Sequence, residues 1–335
     1  MTTSRLQAAL SDPAFVRVPH VSAVYGVKEN PYSKRLRQFD NKELDFPAVL
    51  NQGHGVYINT NEHKTNTTLK ALNSFPSAAQ GMHIGFSGWH NFDIIAQRRS
   101  ERALICDINP ENALFLHQAL FYLCRCKTRG DFVVEMAKFV KSHDHGPFER
   151  SNKLDIYFEW NVSEEPPYDA KNHTWPSDEI YLELKRETSW LFTDERFNHL
   201  KALAMNDQIV LITESICAHE KFANIARFLQ DNASSIDTIY VSNIAHYMKQ
   251  ADLQENYLKT MQHLFKDNQT IVIDAIRSAE LDEYLTHNLE QRCMKVADIK
   301  KSGLREWLFK EPERQDMRKN AKVSDNLISK LSIKI

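Results

Sequence analysis

The sequence predicts an α/β fold, a doubly wound and mostly parallel sheet carrying an N-terminal arm and an acidic insertion. Three observations predict it. Strand-like and helix-like stretches alternate between Gly81 and Arg125, at the spacing of βαβ units. The alternation breaks over residues 142–207 and resumes with three strand-like runs between Gln208 and Asp274, so at least five strands share helical crossovers. With 335 residues, 42% of them apolar and 26% charged, the chain has an ordinary globular composition and room for one large domain with additions.

Residues 1–75 read as an irregular N-terminal arm or cap. Isolated punctuation (Pro19, Tyr25, Pro31, Tyr32, Pro47) and the polar stretch Asn59 to Thr68 show no sustained period. Residues 76–295 form the main domain. Met82 to Phe86 is a short strand, Ser87-Gly88 a turn, and Trp89 to Ser100 a helix with Phe92, Ile94 and Ile95 inward. Arg102 to Asp107 is a buried strand ending on an acid, and Pro110 opens a helix whose apolar face is Leu114, Phe115, Leu120 and Phe121. Asp131 to Lys141 is helical. Between Asp155 and Glu187 nine acids face only Lys171, Lys185 and Arg186, with Pro166, Pro167 and Pro176 interrupting; an insertion over 142–207, packed at a sheet edge, accounts for this. Strands follow at 208–213, 237–242 and 270–274, with helices at Ala218 to Leu229 and Leu253 to Phe265. From Lys300 onward ten basic residues stand against five acidic ones, so residues 296–335 read as a basic, solvated tail.

The balance of 42 Lys and Arg against 44 Asp and Glu leaves a formal charge of -2. That is no field for phosphate backbones, and there is no strong nucleic-acid signal. Five cysteines without a CxxC pair read as reduced thiols. No apolar run is long enough to span a membrane and the first residues lack a signal-peptide pattern, so a soluble, cytoplasmic protein is expected, although a receptor-read export signal would leave no such trace.

The first candidate site is Gly81 to Gly88. Small residues after the first strand let backbone approach a ligand, and the next helix offers its positive N-terminus. Asp107 ends the second strand, where a carboxylate can accept hydrogen bonds from ribose hydroxyls. Together they favour a ligand site over a plain tight turn. The reading needs that turn and Asp107 to meet at the carboxyl edge of neighbouring parallel strands, with the Trp89 indole out of the cleft. Other signals are weaker. His143-Asp144-His145 lacks converging partners for a metal, and His219-Glu220 has Ala223 where a zincin needs its second histidine; no metal is expected. Trp160, Trp175 and Trp190 read as core of the insertion before they read as a recognition surface.

The segments Gly85 to Phe92 and Ile105-Cys106-Asp107-Ile108-Asn109-Pro110-Glu111-Asn112 resemble the Rossmann-like, class I S-adenosylmethionine-dependent methyltransferases. They look more closely like S-adenosylmethionine:diacylglycerol 3-amino-3-carboxypropyltransferase-type proteins, which make betaine lipids. Ile239 to Met248, with its Ser-Asn-Ile core, is similar to the segment after the fourth strand of that group. The resemblance covers residues 80–125 and 205–290. It implies S-adenosylmethionine as cofactor, with Gly85, Ser87 and Gly88 facing the methionine portion, Asp107 on the ribose and Asn109 beside it. Glu214 or Ser215 would approach the adenine, and Ser242 and Asn243 would line the floor near the sulfonium. His246 and Tyr247 are the candidates to touch a substrate, against local helix packing. The chain departs from the pattern where Phe86 and Trp89-His90 replace a Gly-x-Gly-x-Gly loop.

The leading expectation is therefore group transfer from S-adenosylmethionine, methyl by default or 3-amino-3-carboxypropyl, to a small-molecule, lipid or protein acceptor. The alternative is a catalytically inactive methyltransferase-like binding module acting through protein–protein contacts, with 142–207 as the docking surface. A different nucleotide on the same sheet is a third expectation, because fold does not choose ligand.

Overall fold

The computed structural model describes residues 26–41, 56–58, 60, 62–78, 81–143, 158–159, 180–277 and 289–309. The strands are β1 (Val56–Tyr57), β2 (Met82–Phe86), β3 (Arg102–Asp107), β4 (Phe158–Glu159), β5 (Ile209–Thr213), β6 (Ile236–Ser242), β7 (Ile271–Arg277) and β8 (Leu289–Lys295). The helices are α1 (Pro31–Leu36), α2 (Thr65–Ala71), α3 (His90–Arg98), α4 (Pro110–Arg125) and α5 (Arg129–His143), then α6 (Asp194–Met205), α7 (His219–Asp231), α8 (Ala251–Leu264), α9 (Val296–Ser302) and α10 (Leu304–Phe309).

Six strands form the main sheet in the order β5-β3-β2-β6-β7-β8, and β1 pairs separately with β4. The first five are mutually parallel and β8 runs antiparallel to β7. Counted along the sheet this is the doubly wound order 3-2-1-4-5-6, whose direction of winding reverses between β2 and β6. Above such a switch point the flanking loops diverge and leave a crevice.

The strands alternate strictly. One face presents Met82, Ile84, Phe86, Leu104, Cys106, Val210, Ile212, Ile239, Val241 and Val272 to α7 and α8, packed with Phe222, Ile225, Tyr257 and Met261. The opposite face presents Ala103, Ile105, Ile209 and Leu211 to α3, α4 and α6, and Tyr240, Ile271 and Ile273 to α2. Period-two alternation of side chains carries this division.

Four sequence expectations change. Parts of the arm are helical and packed: Asn30 caps α1 by accepting the Tyr32 N–H at 3.0 Å, with Pro31 at the first helical position. Arg37 then pairs Asp207 (Nη1 to Oδ2, 3.0 Å) before β5, and Asn41 N donates to Thr213 O at its end (3.0 Å). Helix α2 buries Leu69, with Leu72 just beyond it, against Ile94 and Tyr240, and the turn after it is tied by Arg98, which donates to Leu72 O and Phe75 O and pairs Asp237. Second, residues 194–205 of the expected insertion are the crossover helix into β5, capped by Thr193. Its pattern was masked by the charged first turn, Asp194-Glu195-Arg196. Third, β8 went unrecognised because Leu289-Glu290-Gln291-Arg292-Cys293-Met294-Lys295 is mostly polar, as an outer strand can be. Fourth, the expected tail begins with α9 and α10, which bury Val296, Ile299, Trp307 and Leu308; residues 310–335 lie outside the described residues.

Among the described residues no helix is long and apolar enough to cross a membrane. All five cysteines are free thiols.

Candidate functional site

Backbone register brings the two halves of the sequence-predicted site together. Phe86 pairs with Cys106 across β2 and β3, so Ser87 follows directly beside Asp107. Asp107 pairs with Thr213 on the other side, placing Glu214 and Ser215 next along the same edge. Ser242 ends β6 on the far side of the switch point, opposite Asp274 of β7. Ser87 and Ser242 both adopt left-handed backbone, with φ of 78° and 51°. A non-glycine residue there is strained, and strain of this kind gathers at functional sites. Both strained serines flank the reversal of winding.

Gly85 lies within β2, fully buried. A Cβ on it would sit 1.6 Å from Asn91 Oδ1 and 2.5 Å from His83 Nε2, so this glycine makes room for Asn91 of α3. That amide is the clamp of the turn: Asn91 Nδ2 donates to Phe86 O (3.2 Å), Ser87 O (3.3 Å) and Gly88 O (2.6 Å). Its Oδ1 meets His83 Nε2 at 2.9 Å, and His83 Nδ1 meets Thr238 Oγ1 at 2.8 Å. Burial pushes the His83 pKa down to about 4, against the pull of Asn91 and Asp237, so the ring is neutral at physiological pH. The Trp89 indole is buried among Phe115, Phe132 and Trp190, with ring centroids 5.5, 6.4 and 5.7 Å away. It belongs to the core between sheet and helices.

Asp107 accepts from Asn109 N and Asn112 Nδ2, both at 2.7 Å. These bonds close the loop into α4. Asn112 Oδ1 is buried without a partner. Glu214, also buried, accepts from Ser215 N at 2.8 Å and Asn41 Nδ2 at 3.2 Å and pairs with Lys221 of α7. Asn243 is buried beside Ser242. His246 and Tyr247 lie in the 3₁₀ turn that follows; His246 is half-buried and Tyr247 exposed.

Sequence reasoning missed a second layer of polar residues beneath this edge. Tyr240 Oη and Ser242 Oγ donate to Glu62 Oε1 at 3.0 and 2.5 Å. Gln291 Nε2 lies 2.7 Å from Glu62 Oε2 and 3.0 Å from His90 Nε2. The other ring nitrogen, His90 Nδ1, lies 3.1 Å from Asp93 Oδ2. Arg186 closes the chain onto Asp93 (2.6 Å) and Glu183 (2.5 Å). Burial opposes ionisation of Asp93, but Arg186 and then His90 outweigh it and hold the pKa below the usual range. One signal was visible: His90 and Asp93 stand three apart on a helix, the spacing of a facing pair. Glu62 sits in a stretch read as irregular and Gln291 in an unrecognised strand, so neither carried a pattern.

Of the three tryptophans assigned to the insertion, Trp190 is fully buried, as expected of core; Trp160 and Trp175 lie outside the described residues. Of the triplet read as a weak metal signal, His143 ends α5 with its ring 4.3 Å from that of Phe139, and Asp144 and His145 lie outside the described residues. Among the described residues no group of His, Cys, Asp and Glu is arranged to hold a metal.

No curated protein matches the chain. Residues 57–330, most of its length and all of the main sheet, match the family model described as Domain of unknown function (DUF7790), and the chain belongs to that family.

Proposed function

We propose that this protein binds S-adenosylmethionine along the carboxyl edge of β5, β3, β2 and β6 and transfers a group from it. Methyl transfer is the default, and 3-amino-3-carboxypropyl transfer is the specific alternative raised by the Asp107-Ile108-Asn109-Pro110 and Ser242-Asn243-Ile244 segments. The single observation that carries the reading is the meeting of the strained Ser87 turn and the Asp107 carboxylate at one edge beside the reversal of winding. The groups there also suit the ligand's chemistry. Asp107 and the unpartnered Asn112 Oδ1 are acceptors, which is what ribose hydroxyls require. The buried charges along the edge (Asp107 apart) are Glu214 paired with Lys221 and Asp274 paired with Arg292, an arrangement for a neutral or cationic ligand and a poor one for a pyrophosphate.

In this reading Asp107 and Asn112 orient the ribose, with Asn109 fixing the carboxylate from behind. Ser87 and Gly88 offer backbone to the amino-acid portion, Glu214 and Ser215 flank the base, and Ser242 and Asn243 form the floor. S-adenosylmethionine supplies an already activated carbon, so the chain's task is orientation and exclusion of water. His246 or Tyr247 takes a proton only if the acceptor arrives protonated.

Isothermal titration with S-adenosylmethionine and S-adenosylhomocysteine tests the proposal. Asp107→Ala should weaken both by about 5- to 150-fold, the equivalent of a charged hydrogen bond worth about 1–3 kcal/mol. No binding to the unaltered protein, or binding indifferent to Asp107, would sink it. Methylthioadenosine as product would select aminocarboxypropyl transfer.

A second reading, an inactive binding module, is favoured by one observation: Glu214 is already engaged by Lys221, Asn41 and Ser215 N. Tight binding without turnover across lipid, protein and small-molecule acceptors would put it ahead.

A further inference from the structure

Among the described residues the buried acids follow a rule with one exception. Asp93 and Glu183 share Arg186, Asp207 holds Arg37, Glu214 holds Lys221, Asp237 holds Arg98 and Asp274 holds Arg292. Glu62, at 1% exposure, has neutral donors only, from Tyr240, Ser242 and Gln291. Both of its oxygens accept hydrogen bonds, Oε1 from the two hydroxyls and Oε2 from the amide. A buried carboxylate without a cation is costly, because neutral hydrogen bonds do not replace the lost hydration of a full charge.

A second observation points the same way. Gln291 is 4% exposed, and its Oε1 has no partner while its Nε2 serves Glu62 and His90. A buried carbonyl oxygen left unpaired beside an unneutralised carboxylate makes the interior beneath Ser242 locally negative. Its effect reaches the next strand: burial raises the pKa of Asp274 to about 6, against Arg292, and Glu62 adds to the rise. This layer meets the switch point at Ser242, the last residue of β6, whose backbone is left-handed and whose hydroxyl lies 2.5 Å from Glu62.

We infer that Glu62 is the counter-charge for the cationic centre of a ligand held over Ser242, with the serine hydroxyl as neutral spacer and the Gln291 carbonyl as a second negative end. The inference rests on the reading above and sharpens it, since it assigns the sulfonium, the one charge separating S-adenosylmethionine from S-adenosylhomocysteine, to a residue outside every segment that carried the resemblance. Across one hydroxyl in a dry interior, a carboxylate still acts strongly on a cation.

The test is the affinity ratio of those two ligands, measured by titration calorimetry on the full chain and on Glu62→Gln. The unaltered protein should prefer the sulfonium by about tenfold, equal to about 1.4 kcal/mol, and Glu62→Gln should bind both ligands alike. Gln291→Lys, which keeps Glu62 and places a cation beside its Oε2, should also abolish the preference, and it decides the matter if Glu62→Gln does not fold. Equal losses for both ligands in Glu62→Gln, or a preference unchanged in Gln291→Lys, overturn the assignment while Asp107-dependent binding keeps the nucleoside reading alive. Failure of either ligand to bind the unaltered protein ends both.

Discussion

On the side facing α7 and α8, the two central strands present Met82, Ile84, Phe86, Ile239 and Val241. On the other side the same strands present His83, Gly85, Thr238, Tyr240 and Ser242. Five residues of each kind, interleaved one for one, produce an oil-like face and a hydrogen-bonded face on one pair of strands. The first is stabilised by area removed from water, which is non-directional and tolerant of substitution. The second is stable only while each polar group keeps its partner. The polar face is where Asn91 clamps the Ser87 turn and Glu62 stands behind Ser242. The difference teaches that, across the two central strands, tolerant apolar packing and the hydrogen-bonded layer behind the candidate site occupy opposite sides of one sheet.

The largest effect should come from breaking the charge chain on the polar face. Arg186→Met leaves Asp93 and Glu183 buried without their cation, and urea unfolding should register a loss of about 3–5 kcal/mol. A loss below about 1 kcal/mol would mean that the chain is solvated and the contrast between faces overstated.

Next comes acid sensitivity at His83. Its pKa lies below the unfolded value, at about 4, so the folded state resists the proton that the unfolded chain accepts. The associated stability is fully present above about pH 6.5 and is lost as pH falls toward 4. Asp274, raised to about 6, binds its proton more readily when folded and acts in the opposite sense over an overlapping range. The clean measurement is therefore a difference: stability of the unaltered protein minus that of His83→Gln, followed from pH 7 to pH 4. The difference should fall by on the order of 3 kcal/mol, from the size of the shift. A flat difference would show that the ring titrates as it does in water.

The smallest effect belongs to the apolar face. Ile239→Val removes one buried methylene and should cost about 1 kcal/mol in thermal or urea unfolding. Under the proposed function, affinity for S-adenosylmethionine should not change. A change in affinity would mean that the two faces are mechanically coupled.

The legible part of the molecule is the part governed by local pattern. The strands at 82–86 and 102–107 were expected with the bounds observed, and those at 208–213, 237–242 and 270–274 within three residues at either end, because buried parallel strands are dense apolar runs bounded by turns. Helices α3, α4, α7 and α8 followed from apolar periodicity. The proximity of Ser87 and Asp107 was legible too, since successive parallel strands usually lie side by side. Helix α2, strand β8 and the two terminal helices were not, because their few apolar residues gain meaning only against the surface they cover.

What the sequence alone determined, then, is the layered α/β architecture and the edge at which Ser87, Asp107, Glu214 and Ser242 gather, because these depend on periodicity and chain order. The tertiary structure decided which groups surround those residues. Glu62, Tyr240, His90 and Gln291 are separated by up to 229 positions, and a hydrogen bond depends on tenths of an ångström in space, a coordinate that chain distance does not encode.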